Sequence, residues 1–430
     1  MREPLSITAR ERLGVCSGPK RRPITAHMSR GTVLILGNYR QTVSVVRSLS
    51  PAGYNTLVGA TRKRVITRYS RFTDEIWLHP PLEEEPAAFI DALADLLARR
   101  SDVGWVFPVG EDEIRLMIGH WSALRAPQRV VMPDPSIAEV CLLKPRLYEV
   151  SRECDVPFAE FGVARDAREL EEWVASIGYP MVIKPCASVG QIDGHNALIL
   201  ESEAERQRML PRWPAHLDSL IVQRYARGLR HNCHFVADQG RLLAYFEQRV
   251  ERTNRHDRTM FAVESVSVPP TPLLRGYTDR LAVRLGYSGA GCAQFLVEDG
   301  EHVHLLELNP RLDANCEMAR RCGQDMPRLA VEVQQHRCGE LPSAPAGKTE
   351  YLYRRCQWLL GDVLGLLHEI CEGDIGAGEA LTWARLTALA LIRADFHLVG
   401  WLRDPLPELF RLGQSMLVPL SRLRKRLSRQ

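Results

Sequence analysis

One short segment around residue 307 has the side chains that a divalent cation and a phosphate group require. It reads HLLELNPR over residues 304–311, and its apolar positions predict a β-strand. Because side chains alternate between the two faces of a strand, Glu307 and Asn309 point the same way. Two oxygen ligands at this spacing, followed by Arg311, suit a hard divalent cation that holds phosphate oxygens. Gln294 lies on the preceding strand of a predicted hairpin and offers a third oxygen.

The same carboxylate and amide also have a purely structural interpretation, since a buried Glu–Asn pair can belong to an ordinary hydrogen-bond network. Two lysines favour phosphate chemistry instead. Lys184 lies on a short apolar strand just before a loop that contains Gly190 and Gly194, and Lys144 lies 40 residues upstream at a predicted domain boundary. Glycines let backbone N–H groups approach a phosphate closely, and an ammonium group supplies a point charge.

A third piece of the candidate site is the segment IVQRYARG, residues 221–228. It is an apolar strand that runs into a turn. Such a segment can hold an adenine ring and offer backbone hydrogen bonds to its edge. By itself this segment is weak evidence for nucleotide binding. The two lysines and the strand that carries Glu307 strengthen it.

The elements before residue 144 predict a small doubly wound α/β domain over residues 31–143. The run TVLIL at residues 32–36 is typical of a buried parallel strand, and a helix over 42–50 and a strand at 56–58 follow it. We also predict a helix over 87–99 and strands at 105–109 and 130–132. Gly37 after the first strand is not part of a G-x-G-x-x-G motif, so a simple turn is the favoured interpretation there.

From residue 144 to about residue 340 the pattern predicts an α+β domain with antiparallel hairpins. Gly-containing turns occur at 238–240 and 298–300. The C-terminal region over 341–430 begins with a Pro/Gly/Ala linker at 341–347 and is predicted to be mostly helical. The predicted strands are 181–185, 197–200, 220–223, 231–237, 242–247, 293–297 and 302–308.

Taken together and in this order, these residues resemble the ATP-grasp superfamily, especially its carbamoyl-phosphate-synthase-like carboxylate–amine ligases. The resemblance covers about residues 32–341, and its motifs are VIKP, IVQRYARG, AQF and LLELNPR. It implies an α/β (α+β) fold with a doubly wound pre-ATP-grasp domain, a two-lobed ATP-grasp domain over 144–340 and a helical C-terminal segment.

The resemblance also implies roles for individual residues. ATP would be bound by Lys144, Lys184, Ser188, Gly190, Gln223, Arg224 and Tyr225. Mg²⁺ (or Mn²⁺) would be held by Gln294, Glu307 and Asn309. Glu307, Asn309 and Arg311 would be catalytic, with Arg311 facing an acyl phosphate. The implied activity is an ATP- and Mg-dependent ligase that activates a small-molecule carboxylate as an acyl phosphate and couples it to an amine or a related nucleophile.

Two departures from the family pattern concern nucleotide binding. Arg230 occupies the position at which the family often has an acid that grips the ribose hydroxyls. The phosphate loop is also poor in glycine. Either Gln223 or Asn232 holds the ribose, or nucleotide binding is weaker than usual in the family.

Two alternative activities stay open at this point. One is a non-catalytic ATP-binding module associated with a membrane or a protein partner, and the other is a transfer in which phosphate stays on the product. Arg249 and Arg252 follow a predicted strand, and they either hold substrate carboxylate or phosphate or are simply solvated arginines.

The composition excludes several classes of protein. The chain has 430 residues, of which 45% are hydrophobic and 25% charged, which excludes disordered and collagen-like chains. The net charge is only +4, so nothing global favours a nucleic acid as the partner. The 11 cysteines form no CxxC pair, which favours reduced thiols over a zinc site or disulfides. For the histidines in the predicted strands at 231–237 and 302–308, a hydrogen-bonded or surface position is the favoured interpretation over a transition-metal site.

The two ends of the chain are basic. Residues 1–30 are expected to be a disordered leader, since Met28 directly precedes the first strand signal. Leucines at helical spacing from Leu406 to Leu427 and five basic residues from Arg422 to Arg429 predict a basic amphipathic helix. This helix either contacts an anionic membrane or partner, or docks on the body of the protein. We expect a cytoplasmic protein, and a peripheral contact at the inner membrane face stays open, as do the oligomeric state and the identity of the substrates.

Overall fold

The computed structural model of the protein describes residues 15–17, 30–187, 190–192, 194–300, 302–399 and 402–414. They belong to two compact units. The first unit takes its residues from Met1–Pro135, Arg311–Gly347 and His397–Gln430, and the second from Ser136–Pro310 and Lys348–Phe396. In the part of the chain so described, no helix is both long enough and apolar enough to cross a membrane.

Strands and helices are mixed along the chain. The strands are β1 (Val15–Ser17), β2 (Thr32–Leu36), β3 (Asn55–Ala60), β4 (Glu75–Leu78), β5 (Val103–Pro108), β6 (Phe161–Ala164), β7 (Met181–Pro185), β8 (Leu198–Leu200), β9 (Leu220–Arg224), β10 (Leu229–Asp238), β11 (Arg241–Thr253), β12 (Ala262–Val268), β13 (Gly289–Glu298), β14 (His302–Asn309), β15 (Arg355–Gln357) and β16 (Phe396–His397). The α-helices are α1 (Arg40–Leu49), α2 (Pro86–Arg99), α3 (Glu111–Gly119), α4 (Pro135–Leu142), α5 (Lys144–Glu153), α6 (Ala167–Ile177), α7 (Glu203–Met209), α8 (Pro272–Leu285), α9 (Cys316–Arg321), α10 (Met326–Arg337), α11 (Leu359–Glu372) and α12 (Ala377–Arg393).

The sheet of the first unit has the strand order β1-β4-β3-β2-β5. The pairs β4–β3, β3–β2 and β2–β5 are parallel, and every residue of β2 is buried. The strand order reverses at β2, as in a doubly wound fold. Helix α1 packs against α9 and α10, and its Arg47 is buried and donates to Asp404 Oδ2 at 2.9 Å. The predicted α/β character of this region agrees with the structure.

Two expectations for this region need correction. Val15–Ser17 forms the edge strand β1, antiparallel to β4, although residues 1–30 were expected to be a disordered leader. The predicted strand at 130–132 is reduced to an isolated bridge between Val130 and Val106. An edge strand of three residues is set by pairing with a distant strand, which a local pattern does not reveal.

The second unit contains two antiparallel sheets with separate hydrophobic cores. The smaller sheet has the order β6-β9-β7-β8, and its core includes Met181, Ile183 and Leu220. The larger sheet has the order β14-β13-β10-β11-β12-β15-β16, and its core includes Phe235 and Phe295. The two-lobed layout of an ATP-grasp domain over 144–340 stays a prediction.

The extent of this unit differs from the predicted domain at 144–340. Residues 311–347 pack within the first unit, and residues 348–396, which were expected to belong to a separate helical region, pack within the second. The reason is strand pairing over a long sequence distance, since Glu264 of β12 lies opposite Gln357 of β15. Strand β12 was also absent from the prediction, and β11 extends to Thr253 rather than ending at residue 247.

Candidate active site

The candidate cation ligands lie side by side on β13 and β14. Gln294 is the direct cross-strand partner of Glu307, and Asn309 Nδ2 donates a hydrogen bond of 2.7 Å to Glu307 Oε1. Gln294 and Asn309 are buried, and Glu307 is half-buried. The predicted common face for these three side chains is therefore consistent with the register. One carboxylate and two amide oxygens are ligands that suit Mg²⁺ or Mn²⁺, so the residues present fit a hard divalent cation.

A β-bulge immediately before Glu307 was not predicted. Phe295 lies opposite Leu305, whereas Gln294 lies opposite Glu307, so Leu306 is the extra residue of β14. The Leu306 carbonyl accepts a hydrogen bond of 3.0 Å from the hydroxyl of Tyr148. Bulges of this kind re-aim the side chains that follow them and are frequent beside active sites.

Tyr148 links this bulge to Lys184 of β7. Lys184 Nζ donates to the Tyr148 hydroxyl at 3.3 Å and to Gln223 Oε1 at 2.7 Å. Gln223 Nε2 in turn donates to the Ala159 carbonyl at 3.0 Å. Sequence reasoning missed Tyr148. A signal existed, because Tyr148 stands four residues after Lys144 and so lies on the same face of helix α5.

The electrostatics of Lys184 show that it lies near the cation ligands. Burial lowers the pKa of its ammonium from 10.5 to about 8, and the negative charge of Glu307 opposes this lowering. An ammonium group that has lost its water shell is stabilised by a nearby anion. The end of β7 that carries Lys184 is therefore suited to phosphate oxygens.

Lys144 joins the same group of residues. It is the first residue of α5 and is buried, and its backbone N–H donates to the Cys186 carbonyl just after β7. The positive charge of Lys144 lowers the pKa of Tyr148, although burial dominates and raises that pKa to about 12. The structure thus brings both predicted lysines to one place, around the Tyr148 hydroxyl.

The loop after β7 is only partly described. Ser188, predicted to contact ATP, lies outside the described residues. Gly190 has φ +116°, and a Cβ there would lie 3.1 Å from Leu217 Cδ2. This left-handed conformation favours glycine. The presence of Gly190 in this loop is therefore explained by backbone geometry, while its contact with phosphate stays a prediction.

In the hinge segment at the end of β9, the side chains of Gln223 and Arg224 have protein partners that were not expected. Both groups of the Gln223 amide are engaged, so it is not the free ribose ligand that was one of two possibilities. The Arg224 side chain turns to Glu160, at 2.7 Å, and about half of each side chain is exposed.

The backbone of the hinge leaves N–H groups for a ligand. The N–H groups of Arg224 and Tyr225 donate to the carbonyls of Glu160 and Pro180. Among the described residues, the N–H groups of Ala226 and Arg227 have no such acceptor. An adenine contact requires a backbone donor of this kind, and the contact at the hinge stays a prediction.

Arg230, the departure from the family pattern, has a structural role. Its Nη1 donates to the Met260 carbonyl at 2.9 Å. Asn232, the second candidate for the ribose, is buried and lies opposite Gln294 of β13. Its Oδ1 is buried without a hydrogen-bond partner among the described residues.

The two arginines after the predicted strand both lie on β11 and have acidic partners. Arg249 Nε donates to Glu251 Oε1 at 2.8 Å. Arg252 donates to Glu264 Oε2 at 2.8 Å and to both carboxylate oxygens of Asp362. For Arg252 both earlier interpretations are wrong, because its charge is neutralised by two buried acids and its side chain is mostly buried.

Arg311 belongs to the chain segment that packs within the first unit, and its Nη1 donates to the Leu312 carbonyl at 3.3 Å. Its contact with an acyl phosphate therefore stays a prediction. Two of the strand histidines have protein partners, since His231 Nδ1 lies 2.8 Å from Glu247 Oε1 and His234 Nε2 lies 3.3 Å from Gln248 Oε1. The predicted basic tail from residue 415 onward lies outside the described residues.

Comparison with known proteins agrees with this geometry. Residues 146–335 match the family described as the carbamoyl-phosphate synthase L chain, ATP binding domain. The arginine-specific carbamoyl phosphate synthase large chain of Geobacillus stearothermophilus is 27% identical over 193 residues, which are 44% of this chain and 18% of that protein. The large chain from a Synechocystis species is 23% identical over 377 residues, covering 79% of this chain and 33% of that one. The chain thus spans about a fifth to a third of the length of these relatives.

Solved structures share the fold at low sequence identity. The N5-carboxyaminoimidazole synthetase of Staphylococcus aureus complexed with ADP superposes with a TM-score of 0.62 at 14% identity, covering 80% of this chain and 86% of that one. The biotin carboxylase of Campylobacter jejuni in its β-γ-ATP complex gives a TM-score of 0.57 at 17% identity, covering 76% and 74%. These structures are of the ATP-grasp fold. The resemblance to the ATP-grasp superfamily is therefore confirmed, and residues 146–335 are similar to the ATP-binding domain of the carbamoyl-phosphate synthase large chain.

Proposed function

We propose that this protein is an ATP- and Mg²⁺-dependent ligase that activates a carboxylate as an acyl phosphate and couples it to an amine or a related nucleophile. The observation that supports this most strongly is the placement of Glu307, Asn309 and Gln294 on two paired strands, with the desolvated ammonium of Lys184 close to Glu307. Phosphoryl transfer requires cation ligands and positive charge together, because negative charge accumulates on the phosphate oxygens.

In this proposal the two lysines and the glycine loop bind the nucleotide phosphates. Lys184 is held by Tyr148 and Gln223, so its ammonium is oriented before the nucleotide arrives. Lys144 adds a second buried positive charge. The Ala226 N–H is the hinge donor for the adenine edge. Pre-oriented groups of this kind need little reorganisation during the reaction.

Glu307, Asn309 and Gln294 would hold the divalent cation. When bound, the cation neutralises charge on the β- and γ-phosphates. Asn309 is prepared for this role, because its Nδ2 already donates to Glu307 and its Oδ1 is left to act as a ligand. Arg311, two residues further along the chain, is proposed to face the acyl phosphate.

The reaction has two steps and needs no covalent bond to the enzyme. An oxygen of the substrate carboxylate attacks the γ-phosphorus of ATP, and the bond to the bridging β–γ oxygen breaks, which releases ADP and leaves an acyl phosphate. The nitrogen lone pair of the amine then attacks the acyl carbon. Inorganic phosphate leaves with the bonding electrons, the nitrogen loses a proton, and an amide is formed.

ADP release by the purified chain tests this proposal. The protein is incubated with ATP and Mg²⁺ and with pooled carboxylic acids and amines, and a Glu307→Ala, Asn309→Ala double variant is the control. We expect ADP release that depends on an acid and is lost in the double variant. ATP binding without release from any pool would favour the non-catalytic module. Phosphate retained on the product would favour simple phosphoryl transfer.

A further inference from the structure

The side chain of Asn232 lies in the row of polar residues that crosses the larger sheet. The register places Gln248, Asn232, Gln294 and Glu307 opposite one another on β11, β10, β13 and β14. Direct cross-strand partners have Cβ atoms about 4.5–5.5 Å apart and share a face of the sheet. Asn232 is therefore the next side chain in the row after the proposed cation ligand Gln294.

Two neighbouring amides of this row lack the hydrogen bonds that buried amides normally make. Asn232 is 2% exposed, and its Oδ1 is buried without a hydrogen-bond partner among the residues that the structure describes. Within the described residues the Gln294 side chain, 8% exposed, also makes no hydrogen bond, whereas Gln248 on the other side is engaged at both ends by His234 and Ser265. The register thus places Gln294, whose amide makes no hydrogen bond within the described residues, directly opposite Asn232.

A glutamine that binds a cation must present its oxygen and turn its NH₂ group away. The two ends of a carboxamide have the same shape, so something else must select the orientation. For Asn309 the structure shows the solution, because its Nδ2 donates to Glu307 Oε1 and its oxygen is left for the cation. Gln294 needs an equivalent acceptor on its other side.

We propose that Asn232 is the positioning residue for Gln294: when the divalent cation binds, Asn232 Oδ1 accepts a hydrogen bond from Gln294 Nε2, and Gln294 Oε1 is thereby presented to the cation. The inference rests on the proposed function, since it requires the cation site formed by Gln294, Glu307 and Asn309. Residues that orient metal ligands in this way change metal affinity by about 10–100-fold when they are replaced.

The test measures Mn²⁺ affinity of the full chain in the presence of excess ADP, with free Mn²⁺ read by electron paramagnetic resonance. Asn232→Leu removes the acceptor at similar size, and we expect Mn²⁺ affinity to fall about 10-fold or more. Asn232→Asp keeps an acceptor, and we expect Mn²⁺ affinity at least equal to that of the wild type. Gln294→Glu presents an oxygen in either orientation, so adding Asn232→Leu to Gln294→Glu should change affinity less than about 2-fold, by the same reasoning on ligand orientation.

Thermal unfolding without ligand separates positioning from stability. Asn232→Leu should keep the melting temperature of the wild type, because Oδ1 has no partner to lose. Gln248→Met is the matched control and should lower it, because both ends of that amide have partners. If Asn232→Leu does not fold, Asn232→Ala takes its place.

Two results would overturn the inference alone: wild-type Mn²⁺ affinity in Asn232→Leu, or an equal loss of affinity with Gln294 and with Gln294→Glu. Absence of Mn²⁺ binding by the wild-type chain would overturn the proposed cation site and the inference together.

Discussion

Two buried polar clusters in the second unit differ in how many of their groups have partners. The Asp362 carboxylate, fully buried, receives hydrogen bonds from Arg252, Gln357 and Trp383. At the candidate active site, the Asn232 oxygen has no hydrogen-bond partner in the described part of the chain, and burial lowers the pKa of Lys184. The first cluster gains its partners when the chain folds. The second leaves buried groups whose stabilisation requires a ligand, which is the behaviour expected of a binding site.

The sharpest contrast comes from Asp362→Ala. Removing this carboxylate leaves Arg252 with a buried charge that only Glu264 compensates. We expect the free energy of unfolding to fall by about 3–5 kcal/mol, the usual cost of breaking a buried ion pair. Urea unfolding measures this loss, with Glu160→Ala at a half-exposed ion pair as the control. A loss below about 1 kcal/mol, the usual value for an exposed pair, would contradict the structural role of Asp362.

At the active site, Lys184→Met is expected to weaken nucleotide binding. It removes the ammonium proposed to contact phosphate oxygens, and hydrogen bonds to charged groups contribute about 1.5–3 kcal/mol. We expect ADP affinity to fall by about 10–100-fold, measured by calorimetry in the presence of Mg²⁺. Lys63→Met, at an exposed lysine of the first unit, is the matched control. Equal ADP affinity in Lys184→Met and the wild type would remove Lys184 from the nucleotide site.

The lowered pKa of Lys184 predicts a pH dependence with a definite sign. In the folded protein the pKa is about 8, against 10.5 for the free side chain. The unfolded chain therefore holds one more proton than the folded chain between these values, and this group makes stability rise with pH from about 8 to 10.5.

The effect on ligand binding has the opposite direction, because phosphate binding favours the ammonium form. We expect ADP affinity to fall above pH 8 by up to about 10-fold per pH unit, measured by calorimetry from pH 7 to 9.5. Lys184→Arg keeps its charge throughout this range and should show a flatter profile. An identical pH profile in the two proteins would assign the dependence to another group.

The smallest effect is expected from Arg224→Ala. The Arg224 side chain forms a half-exposed pair with Glu160, and such pairs contribute at most about 1 kcal/mol. We expect a change in stability below that value and a change in ADP affinity below about 2-fold, measured as for Lys184→Met. A larger loss of ADP affinity would show that the Arg224 side chain, predicted from the sequence to contact ATP, leaves Glu160 for the nucleotide.

The prediction from sequence was most successful where the evidence is local. The strands around Lys184 and Glu307 and the turns at 238–240 and 298–300 agree with the structure to within a few residues. Apolar alternation and glycine turns depend on neighbouring residues, so a single sequence reveals them. Strand Val15–Ser17, the extent of the second unit and the partners of Arg252 were not predicted correctly, because each depends on contacts between distant parts of the chain.

The sequence by itself determined that Glu307 and Asn309 share one face of a strand, because the two-residue period of a β-strand allows no other arrangement. Only the tertiary structure decided which groups meet that face. The bulge at Leu306, the contact of Tyr148 with Lys184 and the place of Asn232 beside Gln294 follow from the register between strands and from packing. Register and packing are set by the burial of apolar residues far apart in the chain, and no local pattern encodes them.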